Sequence, residues 1–296
     1  MASNQRRSVR YAQNVLTNSS LIDRLLDRSG VDAGDTVLEI GAGGGAITAR
    51  LARRCRRVVA IERDGRLADR LRRRFAGRPS VDIHEGDFLC LPLPGTRYKV
   101  FANIPFNITT AIVTRLTTAP RPPEEAHLIV QREAADRFLG RPRESLYAVL
   151  LKPWFEPGVT HRFQRADFLP APRVDVVMLR LRKRGPPLIE PADAGLYRDF
   201  VVHAFTAWQP SLRRALAGLF SPRQLHGAAR LGIDLDATPT AVPFEQWLAL
   251  FAYFKRVADP RAMRRVRGAE ACLRQQQARL RKVHRTRARG SAYAGR

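Results

Sequence analysis

The tetrapeptide Asn103-Ile104-Pro105-Phe106 combines residue types that suit methylation of an aromatic amine. The exocyclic amine of adenine is a poor nucleophile because its lone pair is delocalised into the ring. The side-chain oxygen of Asn103 and a nearby backbone carbonyl can accept its two N–H bonds and localise that lone pair towards a methyl sulfonium. Pro105 stiffens the loop, and Phe106 offers a ring on which a base can stack.

A glycine-rich loop at residues 41–45 follows Glu39-Ile40 and lies between a predicted strand and a predicted helix. Glycines permit a tight turn and let the backbone approach a ligand closely, with the helix N-terminus beneath it. Dinucleotide-binding enzymes use the same geometry. The loop therefore predicts a cofactor site without identifying the cofactor.

Two acidic residues follow later strands of the same block. Glu62 ends the next predicted strand, 21 positions after Gly41, where a carboxylate can accept both ribose hydroxyls of a nucleoside. Asp87 could accept an adenine amino group while Phe88 covers the ring. The alternatives are a solvated strand-end acid for Glu62 and an ordinary turn residue for Asp87.

Two further segments are informative only in combination with the motifs described above. Residues 11–16 precede the first predicted helix and alone read as an ordinary polar segment with a helix cap. Residues 167–174 contain Pro170 and Pro172, which hold an extended loop that could present Phe168 at the site. Alone, that loop reads as a proline-rich connector.

The elements that position these residues alternate between strand-like and helix-like patterns. The predicted strands are residues 36–40, 57–62, 81–84, 98–102, 126–130 and 174–181, the last resembling a sheet-edge strand. The predicted helices are residues 21–30, ahead of the first strand, and residues 47–57, 67–75 and 111–116, between strands. Repeated β-α units predict an α/β fold with a doubly wound, Rossmann-like and mainly parallel sheet.

A breaker at Gly185-Pro186-Pro187 ends this block, and only helix-like segments follow up to residue 257. We expect a cofactor-binding catalytic domain at residues 1–184 and a small all-helical, RNA-binding domain at 185–257. Residues 258–296 carry few large apolar side chains. We expect them to form a basic tail, disordered or partly helical, that serves as an electrostatic arm.

The charge balance points to a polyanionic partner. Lys and Arg number 52 against 27 Asp and Glu, a net charge of +25, and 47 of the 52 are Arg. Arginine suits phosphate oxygens and stacks on bases, so nucleic acid is the simplest partner. Codon usage could explain Arg over Lys, but it does not explain basic over acidic residues.

Several classes of protein and site are not expected from this composition. There is no 18-residue apolar run and no secretory h-region, so we expect a cytoplasmic protein without membrane contact. The three cysteines are far apart and form no C-x-x-C pair. Neither a disulfide framework nor a metal site is expected.

Together these segments resemble the rRNA adenine N6-methyltransferases over about residues 8–256. Within that superfamily they look most like the Erm enzymes, which confer resistance to macrolides, lincosamides and streptogramin B. Residues 242–251 resemble the Erm ending more than that of the small-subunit rRNA dimethylases. The other segments that carry the resemblance are residues 13–16, 39–45, Glu62, Asp87, 103–106 and 168–174.

The resemblance implies a monomeric enzyme that uses S-adenosyl-L-methionine to methylate one adenine of 23S rRNA. The expected reaction is an in-line displacement by the adenine amine, with Asn103 between the methyl group and the amine and with Phe106 and Phe168 sandwiching the flipped-out base. The expected catalytic residues are Asn103, Ile104, Pro105, Phe106 and Phe168. The expected cofactor contacts are Asn14, Leu16, Gly41, Gly43, Glu62, Arg63, Asp87, Phe88 and Asn103.

Two positions depart from the family pattern. Val15 stands where Phe is usual, which changes packing, and Phe106 stands where Tyr is frequent, which keeps stacking but removes a hydroxyl. A housekeeping 16S rRNA dimethylase and a non-catalytic RNA-binding factor on the same fold remain alternatives. Methylation of DNA or of protein amides is disfavoured because such sites typically carry two prolines after the Asn, whereas Ile104 intervenes here.

Overall fold

The computed structural model describes residues 14–287, with side chains through Arg279. Within this range the chain forms two compact units. The first contains the residues up to Leu139 together with Trp154–Gly185, and the second contains Gly140–Pro153 and the residues from Pro186 onwards. Sequence placed a boundary at 184–185, next to the observed one, but did not assign residues 140–153 to the second unit.

The bounds of the elements are as follows. The strands are β1 (Val15–Leu16), β2 (Thr36–Ile40), β3 (Arg57–Glu62), β4 (Val81–Glu85), β5 (Lys99–Asn103), β6 (Glu125–Gln131), β7 (Phe155–Arg162), β8 (Phe168–Leu169) and β9 (Val176–Lys183). The helices are α1 (Ser19–Arg28), α2 (Ala46–Leu51), α3 (Gly65–Arg74), α4 (Thr109–Thr117), α5 (Arg132–Leu139), α6 (Leu146–Leu151), α7 (Ala194–Thr206), α8 (Leu212–Ala215), α9 (Pro222–Ala229), α10 (Phe244–Val257), α11 (Pro260–Val266) and α12 (Ala269–Arg287).

Seven strands of the first unit form one sheet in the order β4-β3-β2-β5-β6-β9-β7. The five strands from β4 to β6 are parallel, whereas β9 pairs antiparallel with both β6 and β7. Every residue of β2 is buried, as expected for a central parallel strand with both faces covered. The predicted α/β doubly wound, Rossmann-like fold is confirmed.

The expectation that residues 174–181 form a sheet edge is wrong. These residues contribute β9, which lies between β6 and β7, so β7 is the outer strand. Sequence missed β7 because Pro157-Gly158 in its middle is unfavourable for a strand. An edge position accommodates both, since an outer strand needs hydrogen bonds on one side only.

The second unit is helical in the part of the chain that is described. Its core includes Trp247 and Phe254 from α10 and Phe200 from α7, all fully buried. The rings of Phe200 and Phe254 stack with centroids 4.7 Å apart. An amphipathic stripe on each helix therefore builds this core, as the helix-like periodicity predicted.

Of the two states expected for the tail from residue 258, disordered or partly helical, the structure shows the helical one over residues 260–287, which form α11 and α12. Val266 is fully buried. Asp199 accepts hydrogen bonds from the backbone N–H groups of Gly268 and Glu270, and Arg198 Nε donates to Glu270 at 2.9 Å. Polar contacts with α7 thus anchor the start of α12, and a scan for apolar residues does not detect such contacts.

Among the described residues, no helix combines the length and the hydropathy that spanning a bilayer requires.

Candidate functional site

The predicted site residues follow the carboxyl ends of adjacent parallel strands. Ile40 of β2 lies opposite Ile61 of β3, and Glu62 lies opposite Glu85 of β4, so these ends are level. β5, which ends at Asn103, is the other neighbour of β2. The chain order reverses between β2 and β5, and ligands bind at such a switch point.

The glycine-rich loop between β2 and α2 depends on glycine at three positions. Gly41, Gly43 and Gly45 have φ angles of 77°, 54° and 77°, in the left-handed region that favours glycine. A Cβ on Gly45 would lie 2.7 Å from Leu71 Cδ2, whereas one on Gly44 would meet nothing within 4 Å. The loop therefore packs on α3 at Gly45 and leaves open space at Gly44.

Glu62 connects this loop to the end of β3. Its Oε2 accepts a hydrogen bond from the Gly43 N–H at 2.7 Å, and its Oε1 accepts one from the Asp64 N–H at 2.9 Å. The residue is only 4% exposed, so the solvated-acid alternative does not apply. Each carboxylate oxygen keeps a second acceptor site, which is what two ribose hydroxyls require.

Glu39 lies buried in β2, just before the loop. Burial raises the pKa of its carboxyl to about 8, while a hydrogen bond from Thr48 Oγ1 at 2.6 Å acts in the opposite direction. The nearby Glu62 carboxylate raises the same pKa further. Glu39 is therefore largely protonated at neutral pH and can pack against Thr48 without a full buried charge.

Asp87 follows β4 and meets Arg63, another predicted cofactor contact. Asp87 Oδ1 accepts from the Leu89 N–H at 2.9 Å, and Asp87 Oδ2 lies 3.9 Å from Arg63 Nη1. Phe88 behaves differently because its side chain is 4% exposed and the Arg115 guanidinium lies 5.6 Å from its ring centroid. Phe88 therefore presents no open ring face, and its contact with a cofactor stays a prediction.

Asn103 is held in one orientation by the segment that precedes α1. Its Nδ2 donates to the main-chain carbonyl of Asn14 at 2.8 Å. Since a carbonyl can only accept, the side-chain oxygen of Asn103 points the other way and keeps its acceptor capacity. Ile104 is buried, and Pro105 leads into a short 3₁₀ helix at Phe106–Ile108.

The structure brings Phe168 and Leu16 together. They are cross-strand partners in a two-stranded antiparallel ladder formed by β1 and β8, and the partly buried Phe106 packs against the core cluster that contains both. Phe168 is only 3% exposed and its ring contacts Phe163, with centroids 5.2 Å apart. The sandwich of a base between Phe106 and Phe168 stays a prediction.

Part of the predicted motif ahead of α1, residues 11–13, lies outside the described residues. Sequence reasoning also missed three features that shape the site, namely the Asn14 carbonyl, Thr48, and Arg74, whose Nη1 donates to Gly44 O at 2.6 Å. A main-chain carbonyl has no sequence signature. Thr48 and Arg74 lie on helices whose amphipathic pattern shows burial and not these partners.

Most of the arginines at positions 50–57 and 72–74 already have partners within the protein. These are Arg50 with Asp23, Arg54 with Asp23 and Asp27, Arg56 with Thr36, Arg57 with Asp82, Arg72 with Asp69 and Glu85, and Arg74 with Gly44. Arg53 and Arg73 are exposed and show no ion pair within the described part of the chain. Free positive charge in these two stretches is therefore smaller than their composition suggests.

The residues present fit S-adenosyl-L-methionine, the cofactor that the resemblance implies. The buried Glu62 carboxylate has acceptor sites for a ribose, Asp87 lies at the next strand end, and the loop has open space at Gly44. Across the described residues, no cluster of three or more His, Cys, Asp or Glu could hold a metal ion.

Comparison with known proteins gives one family. Residues 4–256 match the family described as ribosomal RNA adenine dimethylase. The chain is 32% identical over 263 residues to an rRNA adenine N-6-methyltransferase from Bacillus licheniformis, covering 86% of this chain and 91% of the relative. It is 36% identical over 216 residues to the ribosomal RNA small subunit methyltransferase A of Geobacter sulfurreducens, covering 70% and 78%.

A solved structure is similar over the same region. The crystal structure of the 23S rRNA methyltransferase ErmE superposes with a TM-score of 0.73 at 32% sequence identity, covering 82% of this chain and 100% of that one. Relatives of both the 23S-directed and the small-subunit kind are therefore present, and sequence identity alone does not separate them.

Proposed function

The chain belongs to the ribosomal RNA adenine dimethylase family and is an S-adenosyl-L-methionine-dependent rRNA adenine N6-methyltransferase, and on this premise we propose that its target is one adenine of 23S rRNA. Methylation there would give resistance to macrolide, lincosamide and streptogramin B antibiotics. The observation that carries the choice of 23S rRNA is the similarity to the 23S rRNA methyltransferase ErmE, which extends over the whole of that chain. The ending at residues 242–251 supports the same choice.

We assign the cofactor to the edge formed by β4, β3, β2 and β5, where it supplies an electrophilic methyl group. Glu62 holds the ribose, and Asp87 holds the adenine ring with Arg63 beside it. Gly41, Gly43, Asn14 and Leu16 line the part nearest the amino-acid end. This assignment uses the level strand ends and the two N–H donors that fix Glu62.

Asn103 orients the target amine in this proposal. Its oxygen accepts an N–H of the adenine amine, which lowers delocalisation of the nitrogen lone pair into the ring. The Asn14 carbonyl holds the other end of the amide, so the acceptor is oriented before substrate arrives. The methylated amine is acidic and loses its proton to water, so no strong general base is required.

Ile104 and Pro105 fix the loop, and Phe106 stacks on the target base. Phe168 becomes the second stacking ring only if the β1–β8 ladder shifts enough to expose it. The protein acts as a monomer on RNA whose target base is out of its stack. The exposed Arg53 and Arg73, the helical unit and the basic C-terminal region supply the phosphate contacts.

Primer extension on 23S and 16S rRNA from cells that express the protein tests the target. We expect one new stop in 23S rRNA, together with raised tolerance of the three antibiotic classes, and neither effect with Asn103→Ala. Asn107→Ala is the matched control, because Asn107 is an exposed amide four residues away. A stop in 16S rRNA alone would instead identify the small-subunit dimethylase activity suggested by the Geobacter sulfurreducens relative.

A further inference from the structure

Trp208, in the second unit, is the most exposed large apolar side chain of the described residues. Its side chain is 90% exposed, against 69% for Leu169, the next in that group. Trp247 in the same unit is fully buried, as is usual for a tryptophan that stabilises a core. Trp208 therefore contributes little apolar burial to folding.

The backbone at Trp208 also argues against a folding role. Its φ angle is 51°, in the left-handed region, and the other described residues with positive φ are all glycines. Trp208 follows Ala207, the C-cap of α7, at the position where a helix commonly ends with glycine. A tryptophan in this conformation costs free energy that glycine would not, and the exposed ring gives no burial in return.

The segment that follows Trp208 contains arginines but no acidic residues. Residues 207–233 contain four arginines, Arg213, Arg214, Arg223 and Arg230, and no Asp or Glu. Arg213 binds Asp236, but the other three are exposed and have no ion pair with an acid in the described residues. Arg213 and Arg214 are five and six residues from Trp208, which limits their Cα separation from it to about 20 Å.

We propose that Trp208 is a stacking platform for an unpaired base of the RNA substrate, with the exposed Arg214, six residues along the chain, binding a flanking phosphate. An exposed aromatic ring close in sequence to exposed arginines is a combination that suits single-stranded nucleic acid. The base must be unpaired, since bases within a duplex are stacked on each other. This subsite rests on the proposed RNA substrate and lies outside the cofactor unit.

A protein partner fits this surface less well. Tryptophan and arginine are also common in protein interfaces, but the core of such an interface needs a cluster of apolar side chains. No large apolar side chain of residues 209–230 is exposed, and the exposed residues that follow Trp208 include Gln209, Pro210 and the two arginines of α8. A polyanion would pair with the arginines of this segment, whereas burial against an apolar partner would remove these charged side chains from water without a partner.

Binding of the full-length protein to two RNA probes tests the proposal. One probe is a hairpin with a single-stranded loop, made in a 23S-derived and a 16S-derived version, and the other is a fully paired duplex of equal length. Trp208→Gly is expected to lower affinity for loop RNA by about 5–100-fold and to leave duplex binding unchanged. Trp208→Phe should retain most of the affinity for loop RNA. Leu231 is another exposed apolar residue of this unit, and Leu231→Ala should retain all of the affinity.

Two readouts separate stacking from a structural or ionic role. Trp208→Gly should raise the Tm, because glycine relieves the left-handed backbone, and it should leave the slope of log affinity against log salt unchanged because no charge is removed. RNA should quench tryptophan fluorescence of the wild type, and this quenching should vanish in Trp208→Phe.

Equal affinity of wild type and Trp208→Gly for loop RNA would overturn the proposal, as would an equal loss on loop and duplex probes. Loss of methylation of ribosomal particles with unchanged binding to naked loops would assign Trp208 to a protein contact and also overturn it. Binding to the 16S-derived loop alone would contradict the 23S target, while the effect of Trp208→Gly on that loop would still decide the role of Trp208.

Discussion

Asn103 donates a hydrogen bond from its side-chain amide to the main-chain carbonyl of Asn14 across 2.8 Å. The two residues are 89 positions apart, and the contact joins the end of β5 to the segment that precedes α1. Because this bond directs the amide nitrogen towards Asn14, the oxygen is the acceptor that points away from Asn14 and remains for substrate. The segment ahead of α1 thus determines which atom of Asn103 can act.

The first prediction concerns that oxygen. Asn103→Ala should lower kcat for methyl transfer by about 10²–10³-fold, because it removes the acceptor that localises the amine lone pair. The kcat of Asn103→Asp should fall almost as far, because a carboxylate cannot donate to the Asn14 carbonyl and is therefore not oriented by it. Methyl transfer from labelled cofactor at saturating RNA measures kcat, and Asn107→Ala should match the wild type. A wild-type kcat in Asn103→Ala would exclude this mechanism.

The sheet could be predicted from sequence because its central strands are nearly continuous apolar runs, such as β2, and parallel β-α units follow a regular order. The positions of Glu62 and Asn103 at strand ends could be predicted for the same reason, since adjacent ends must meet at one edge, while their roles stay predictions. β7 was missed because Pro157 and Gly158 obscure it. The anchoring of α12 was missed because ionic and backbone hydrogen bonds leave no hydrophobic period.

The burial of Phe168 could not be predicted for a different physical reason. It depends on pairing with Leu16, about 150 residues earlier in the chain, through strands of only two residues each. A two-residue strand is too short to show alternation. The sequence predicts a rigid loop from its prolines, but the face that the ring presents is fixed by this long-range ladder.

The second prediction concerns Glu62. Glu62→Gln keeps the shape, but its amide nitrogen must face one of the two backbone N–H donors, Gly43 or Asp64. We expect cofactor Kd to rise by about 10–100-fold and RNA affinity to stay unchanged, since charged hydrogen bonds contribute about 1.5–3 kcal/mol. Calorimetric titration with S-adenosyl-L-methionine measures the effect. Glu85→Gln, at the neighbouring strand end, should bind cofactor normally, and equal affinities for Glu62→Gln and wild type would refute the ribose assignment.

The third prediction concerns pH. The folded-state pKa of Glu39, about 8, lies above its ordinary value of 4.5, so the folded state binds a proton that the unfolded state has released between these values. Stability from this residue is complete below about pH 4.5 and is lost as pH rises through 8. We expect the free energy of unfolding to fall by up to about 4 kcal/mol between pH 5 and 8.5.

Glu39→Gln isolates that contribution, because glutamine keeps the hydrogen bond with Thr48 but cannot ionise. Denaturant titrations of both proteins at several pH values should show a difference in unfolding free energy that shifts in favour of the variant as pH rises. If the two proteins depend on pH equally between 5 and 8.5, Glu39 is already ionised in the folded state at the lower end of this range.

The last prediction concerns the basic C-terminal region. Deletion from residue 258 would remove the buried Val266 and the Glu270 that binds Arg198, so it would damage the fold as well as the charge. Ending the chain after Arg279 avoids both problems. It removes six basic residues, Arg281, Lys282, Arg285, Arg287, Arg289 and Arg296, and no acidic ones.

This truncation should weaken binding to rRNA and flatten its salt dependence. Each phosphate contact releases counterions when it forms, so fewer contacts release fewer counterions on binding. The slope of log affinity against log salt should fall by about 0.7 per lost contact, and by about 4 if all six residues bind phosphates. A full-length variant with the same six residues changed to Gln controls for helix length and should give the same slope. A slope equal to that of the wild type, with unchanged Tm, would show that residues 280–296 do not bind phosphate and that the RNA is held by the folded units.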